Sequence, residues 1–145
     1  MILAVLLAPA AIGVFDGWGA FRGERGCYAI ARPVVGGRRR GAFASVTAGG
    51  RRGPSLYLRL GRASDRSAPV TLSVGERRFR LAARDRDAWA ADAASDRAIV
   101  AAMRSARSMS VQGVWAGGRP FADSYVLKGA ATAIDAARLA CFGRK

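Results

Sequence analysis

DRAIVAAMRSARSMSVQGVWAGGRPFADSYVLKGAATAIDAARLAC, running from Asp96 to Cys141, is the stretch in which a helix, two strands and a second helix can be read in succession. Ile99, Val100 and Met103 follow an i, i+1, i+4 spacing, which gathers them on one face and predicts a helix over 96–106. Asp92, Ser95 and Asp96 are candidate caps, and acidic groups suit the positive end of the helix dipole. Arg104 and Arg107 stand at the other end, where cations are favoured. Polar and apolar residues then alternate from Ser108 to Trp115, the period of a half-buried strand. Ala116 to Arg119 forms a turn, and Pro120 to Lys128 gives a second strand with Phe121, Tyr125 and Leu127 as its larger apolar side chains. A Gly-Gly turn between two such strands predicts a hairpin. Thr132 followed by Asp135 resembles a capping box and predicts a short helix to Leu139.

Upstream, short strands are predicted over 27–35, 42–48, 56–60, 70–74 and 79–83, divided by Gly36-Gly37, Gly49-Gly50, Ser67 to Pro69 and Gly75-Glu76. Leu56, Leu58 and Leu60 share one face, with Tyr57 and Arg59 on the other, and Val70, Leu72 and Val74 repeat the pattern. No helical crossovers separate these strands. The fold class is therefore mainly β, an antiparallel sandwich with one or two short helices near the C-terminal third. The strand count alone does not choose between a sandwich and a barrel.

The chain has 145 residues, enough for one domain with a real core, and 51% of them are of hydrophobic type, which argues against disorder. Its formal charge is +14, and of the 24 basic residues only Lys128 and Lys145 are lysines. Asparagine is absent, while Ala, Gly and Arg abound. A GC-rich coding sequence would give the same bias, so the preference for Arg over Lys says little about function. The positive excess itself remains a physical fact.

Met1 to Ala11 is apolar, free of charged side chains, and ends in small residues, with Ala8-Pro9-Ala10 fitting the cleavage pattern of a signal peptide. Residues 1–11 thus read as a signal peptide and 12–145 as the single β-sandwich domain. No basic residue precedes Arg22, as would follow if the signal peptide began upstream of Met1. The plainer reading is a buried N-terminal strand of a cytosolic domain. Cys27 and Cys141 are the only cysteines. In an exported protein they would form a disulfide; in a cytosolic one they would be two separate buried thiols.

Two segments carry a family resemblance. Gly17-Trp18-Gly19-Ala20-Phe21 leads into Cys27-Tyr28-Ala29-Ile30, and downstream a helix and hairpin run into Tyr125-Val-Leu-Lys-Gly-Ala130. Both are similar to the invasion-associated locus B family, over 17–35 and 96–135. The family's central cysteine pair is missing, and Ala88 to Ala94 stands in its place, so the chain resembles a divergent member. The resemblance implies an immunoglobulin-like sandwich, found in the periplasm or secreted, and an association with host-cell invasion.

With no histidine, catalytic triads and histidine-ligated zinc are excluded. Asp85 and Asp87 would share a strand face, but they are interleaved with arginines that point to surface ion pairing rather than acid–base work. Asp85-Arg86-Asp87 lacks the turn glycine and third acid of a calcium loop. No cofactor and no catalytic residue is expected.

The sharpest positive feature is the arginine distribution. Gly36-Gly-Arg-Arg-Arg-Gly41 and Gly49-Gly-Arg-Arg-Gly53 place Arg38, Arg39, Arg40, Arg51 and Arg52 on two glycine-flanked turns as candidate anion-binding residues. A strand between them would hold the turns roughly 25 Å apart, a dispersed basic surface rather than one cleft. The expected function is a non-catalytic exported envelope protein that binds anionic envelope or extracellular polymers, or a protein partner. The alternative is a cytosolic arginine-rich nucleic-acid-binding module, for which Phe43 and Tyr57 are the nearest base-stacking candidates.

Overall fold

Side chains that alternate inward and outward build most of the chain. The computed structural model describes residues 8–143, and for Arg39 its backbone only. Ten strands form in order: β1 (Ala10–Phe15), β2 (Trp18–Gly23), β3 (Gly26–Ala31), β4 (Phe43–Thr47), β5 (Ser55–Arg59), β6 (Val70–Val74), β7 (Arg77–Arg84), β8 (Asp87–Ala90), β9 (Ser108–Val114) and β10 (Pro120–Val126). Helix α1 (Ala93–Met103) lies between β8 and β9, and α2 (Ala130–Phe142) follows β10. Leu56, Leu58 and Leu60 are buried, as are Val70, Leu72 and Val74, while Tyr57 and Arg59 turn outward.

All strand pairings are antiparallel, in the order β1-β2-β3-β4-β5-β8-β7-β6-β9-β10. The ladder is unbroken, because β5 pairs with β8 where two separate sheets would part. It folds back on itself. Trp18 Nε1 donates to the Val126 carbonyl at 2.9 Å, and Val34 N–H donates to the Ser124 carbonyl at 2.7 Å, so the β2–β3 arm meets β10. The result is sandwich-like, with one core cluster fed by β2 to β10 and both helices. Helix α2 covers β1, β2 and β3, and α1 lies against β5 to β8.

Several elements differ from the expectation. β1 and β2 join across Asp16-Gly17, with Asp16 in the left-handed region at φ 54°, a conformation Asp tolerates better than most residues. The strand starting near Cys27 stops at Ala31, because Pro33 follows and Val34–Val35 cross to β10. Asp85 and Asp87 do not share a strand face. Asp85, at φ 55°, sits in the two-residue turn between β7 and β8, and Asp87 opens β8. Of the three candidate caps, Asp92 takes the position, accepting the Ser95 N–H at 2.7 Å, and α1 starts earlier than expected. The capping box at Thr132 does not form: α2 starts at Ala130 behind Gly129, and Thr132 lies inside the helix.

Residues 1–7 of the expected signal segment lie outside the described residues. Ala10 and Ala11 of that segment pair with Arg22 and Phe21 in β2. Among the described residues no helix is long and apolar enough to cross a membrane.

Candidate basic binding surfaces

The two arginine turns flank β4. Each is a short 3-10 turn, Gly37–Arg40 before the strand and Gly50–Arg52 after it. Arg38, Arg40, Arg51 and Arg52 are exposed, and the backbone of Arg39 lies in the first turn. The five candidates therefore do not converge. The first turn is anchored from below: Asp123 Oδ1 accepts the Gly37 N–H at 2.7 Å, and its Oδ2 accepts the Gly61 N–H at 2.9 Å. Asp123 is only 2% exposed. The second turn lies beside the ring of Phe142, which would be 3.1 Å from a Cβ placed on Gly50.

Two gatherings of arginine were not visible as runs in the sequence. At one end of the molecule Arg62 lies near enough to Arg40 and to Arg119 to be repelled by both. The Arg62 guanidinium lies 3.6 Å from the centroid of the Trp115 ring, a cation–π contact. Desolvation, then repulsion from Arg40 and Arg119, holds Arg62 below the ordinary arginine range, though an arginine there stays charged. Arg40, Arg62 and Asp123 line a groove of about 280 Å³. Asp123 is the one carboxylate in this lining, and both of its oxygens accept backbone N–H groups. Arg86 steadies the corner: its Nε donates to the Leu60 carbonyl at 2.9 Å and its Nη2 to the carbonyl of Arg40.

The other gathering lines a cleft of about 400 Å³ between α1, α2 and the end of β4. Val46, Val100 and Ile134 supply buried apolar wall, and Arg97, Arg104 and Arg138 border it. Arg104 is paired: its Nη1 and Nη2 donate to the two oxygens of Asp135 at 2.6 and 2.9 Å. That bidentate bond holds the Asp135 carboxyl below the usual carboxylate range and raises Arg104.

Elsewhere the acidic groups serve structure. Tyr57 donates its hydroxyl to Asp87, and Arg59 Nη1 bonds the same carboxylate at 3.0 Å. The Tyr57 bond, ahead of the Arg59 contact, holds Asp87 below its ordinary range. Cys27 and Cys141 are joined as a disulfide. Among the described residues no group of three or more acidic or cysteine side chains is placed to hold a metal ion.

No family model matches the chain, and no curated protein sequence matches it. Among solved structures, invasion-associated protein B from Bartonella henselae superimposes with a TM-score of 0.65, over 88% of this chain and 93% of the other. The two proteins share a fold. Their sequences are 20% identical, so the likeness is one of architecture. It agrees with the mainly antiparallel, sandwich-like class read from the strand pattern, and with the resemblance drawn from segments 17–35 and 96–135. Those segments are β2–β3 and the run from α1 into α2.

Proposed function

We propose that the protein is an exported, non-catalytic β-sandwich, a divergent relative of invasion-associated locus B proteins, that binds anionic polymers of the envelope or the extracellular surface. The observation that carries this reading is a groove lined by Arg40 and Arg62, with Arg119 near enough to repel Arg62, and with a single carboxylate, Asp123, whose oxygens are turned to backbone N–H groups. Holding three guanidinium groups together costs repulsion that a multiply charged anion would relieve. The disulfide, the apolar start of the chain and the shared fold support export and the locus B relationship. A heparin matrix gives the test. R40S/R62S/R119S should elute at clearly lower salt than the wild type, and R38S/R51S/R52S should shift less. Equal elution of the triple variant and the wild type, with both folded, defeats the proposal.

One observation favours the nucleic-acid reading. Phe43 and Tyr57 lie on the outer face of β4 and β5 with ring centroids 5.6 Å apart, and Trp89, opposite Tyr57 in β8, is exposed. Aromatic side chains on an open sheet face can stack bases. Single-stranded oligonucleotide that quenches tryptophan fluorescence, in a manner lost in Trp89→Ala, would move this reading to the front.

A further inference from the structure

The cleft between the helices differs from the arginine groove in one respect: its walls are apolar. Val100 and Ala101 come from α1, Ile134 from α2, and Val46 from the end of β4, with Pro54 beside them. At about 400 Å³ it falls within the size range of small-ligand clefts. Its charged border is unbalanced. Three arginines face one aspartate, and that aspartate is fully engaged by Arg104. Arg97 and Arg138 therefore stand on either side, one on each helix, with no hydrogen-bonded or ion-paired carboxylate among the described residues. The Arg97 stem is held against Gly53, where a Cβ would come within 3.5 Å of its Cγ. Beside Gly50, at the border of the cleft, lies the half-exposed ring of Phe142.

An apolar trough bordered by two guanidinium groups that hold no ion pair among the described residues, with Asp92 near Arg97 and Asp135 near Arg138, matches one kind of molecule. A free inorganic anion would leave the trough wet, and a neutral amphiphile would leave the arginines without an ion-pair partner. We propose that the cleft between α1 and α2 binds a single-chain amphiphile with an oxyanion head, its acyl chain against Val46, Val100 and Ile134 and its carboxylate or phosphate between Arg97 and Arg138. The site is independent of the arginine groove around Arg62, which lies apart from it and shares none of its residues.

The experiment is a methyl-NMR titration of the full chain with decyl phosphate, decanoate, inorganic phosphate and the neutral detergent decyl maltoside, all below micelle-forming concentration. Decyl phosphate or decanoate should shift the Val46, Val100 and Ile134 methyl signals saturably, at concentrations at least tenfold lower than inorganic phosphate or decyl maltoside require. Comparison of the two anionic probes separates a fatty-acid head from a phosphate head. R97S/R138S should weaken the anionic probe at least tenfold. Ala101→Trp, which fills the trough from an exposed position, should abolish binding with the thermal midpoint unchanged. R40S/R62S/R119S should bind as the wild type does, so loss of polymer binding and loss of this site are read separately. Equal affinity for decyl maltoside, or for inorganic phosphate, overturns the proposal, as does a folded Ala101→Trp protein that still binds.

Discussion

Asp123 is the residue on which the basic end of the molecule depends. It sits in β10 at a buried position, and its two oxygens draw together loops that are 62 and 86 residues away in sequence. The loops can approach only because both are bare there: a Cβ on Gly37 would lie 2.5 Å from the Gly61 Cα, and one on Gly61 would lie 2.6 Å from the Gly37 Cα. Asp123→Ala strands two buried N–H groups and should cost about 2–5 kcal/mol in urea unfolding. Tyr125, two positions on and equally buried, makes the contrast. Among the described residues its hydroxyl has no hydrogen-bond partner, and burial, with the neighbouring Asp123, pushes its ionisation well above the usual tyrosine range. Tyr125→Phe removes only an unsatisfied group and should leave stability within about 1 kcal/mol of the wild type. A large loss from Tyr125→Phe would mean that the hydroxyl is satisfied after all. The sequence did hold a trace of Asp123's role. It shares the two-residue period of Phe121, Tyr125 and Leu127, the pattern of an inward-facing row, and a carboxylate in such a row calls for buried donors. Which donors could not be read, because they come from two distant glycine loops.

At the scale of elements, periodicity located the middle of each strand and turn chemistry decided where it ended. Val70–Val74 has the predicted bounds because Val, Leu and Val alternate up to Gly75-Glu76. β1 escaped because its run of small and apolar residues reads equally as a leader segment, although Asp16-Gly17 between Phe15 and Trp18 is a strong hairpin signal; β2 was legible only through the family resemblance of the Trp18 segment. β8 escaped because a two-residue turn with no glycine, Asp85-Arg86, precedes only four strand residues. Helix α2 shows two start signals in competition. Thr132 looked like the cap, but Gly129, at φ 89°, begins the helix three residues earlier, where a Cβ would fall on the Phe15 carbonyl. Backbone conformation outranks a side-chain cap when the chain must pass that close to another strand. Gly129→Ala should therefore cost at least about 1 kcal/mol, and Thr132→Ala, on an exposed helix position, less than about 0.5 kcal/mol. The reverse order in thermal or urea unfolding would restore the capping box.

The whole molecule is closed by joining its ends. Cys27 in β3 and Cys141 in the last turn of α2 are 114 residues apart in sequence, and the bond holds α2 over β1, β2 and β3, the arm at the open edge of the sheet. The helix itself gives limited grip there, since Leu139 and Phe142 are exposed and its buried face is mostly alanine. The bond thus restrains both a long loop in the unfolded chain and a weakly packed helix in the folded one. In the chain-entropy description, closing a loop of this length is worth about 3–5 kcal/mol. For a chain of this size, reduction should lower the thermal midpoint on the order of 10 °C. Because the strand ladder makes no use of the bond, far-UV circular dichroism at low temperature should keep its strand signal. Amide exchange should rise first in α2 and the β1–β2 edge. A midpoint that does not move on reduction would show that packing alone holds α2, and would remove the bond as a reason for the protein to work in an oxidising compartment. A loss of amide protection confined to α2 on reduction would mean that the reduced chain loosens the lid over its N-terminal arm, and with it one wall of the cleft between α1 and α2. In that case reduction should also weaken decyl phosphate binding while leaving retention by the arginines around Arg62 unchanged.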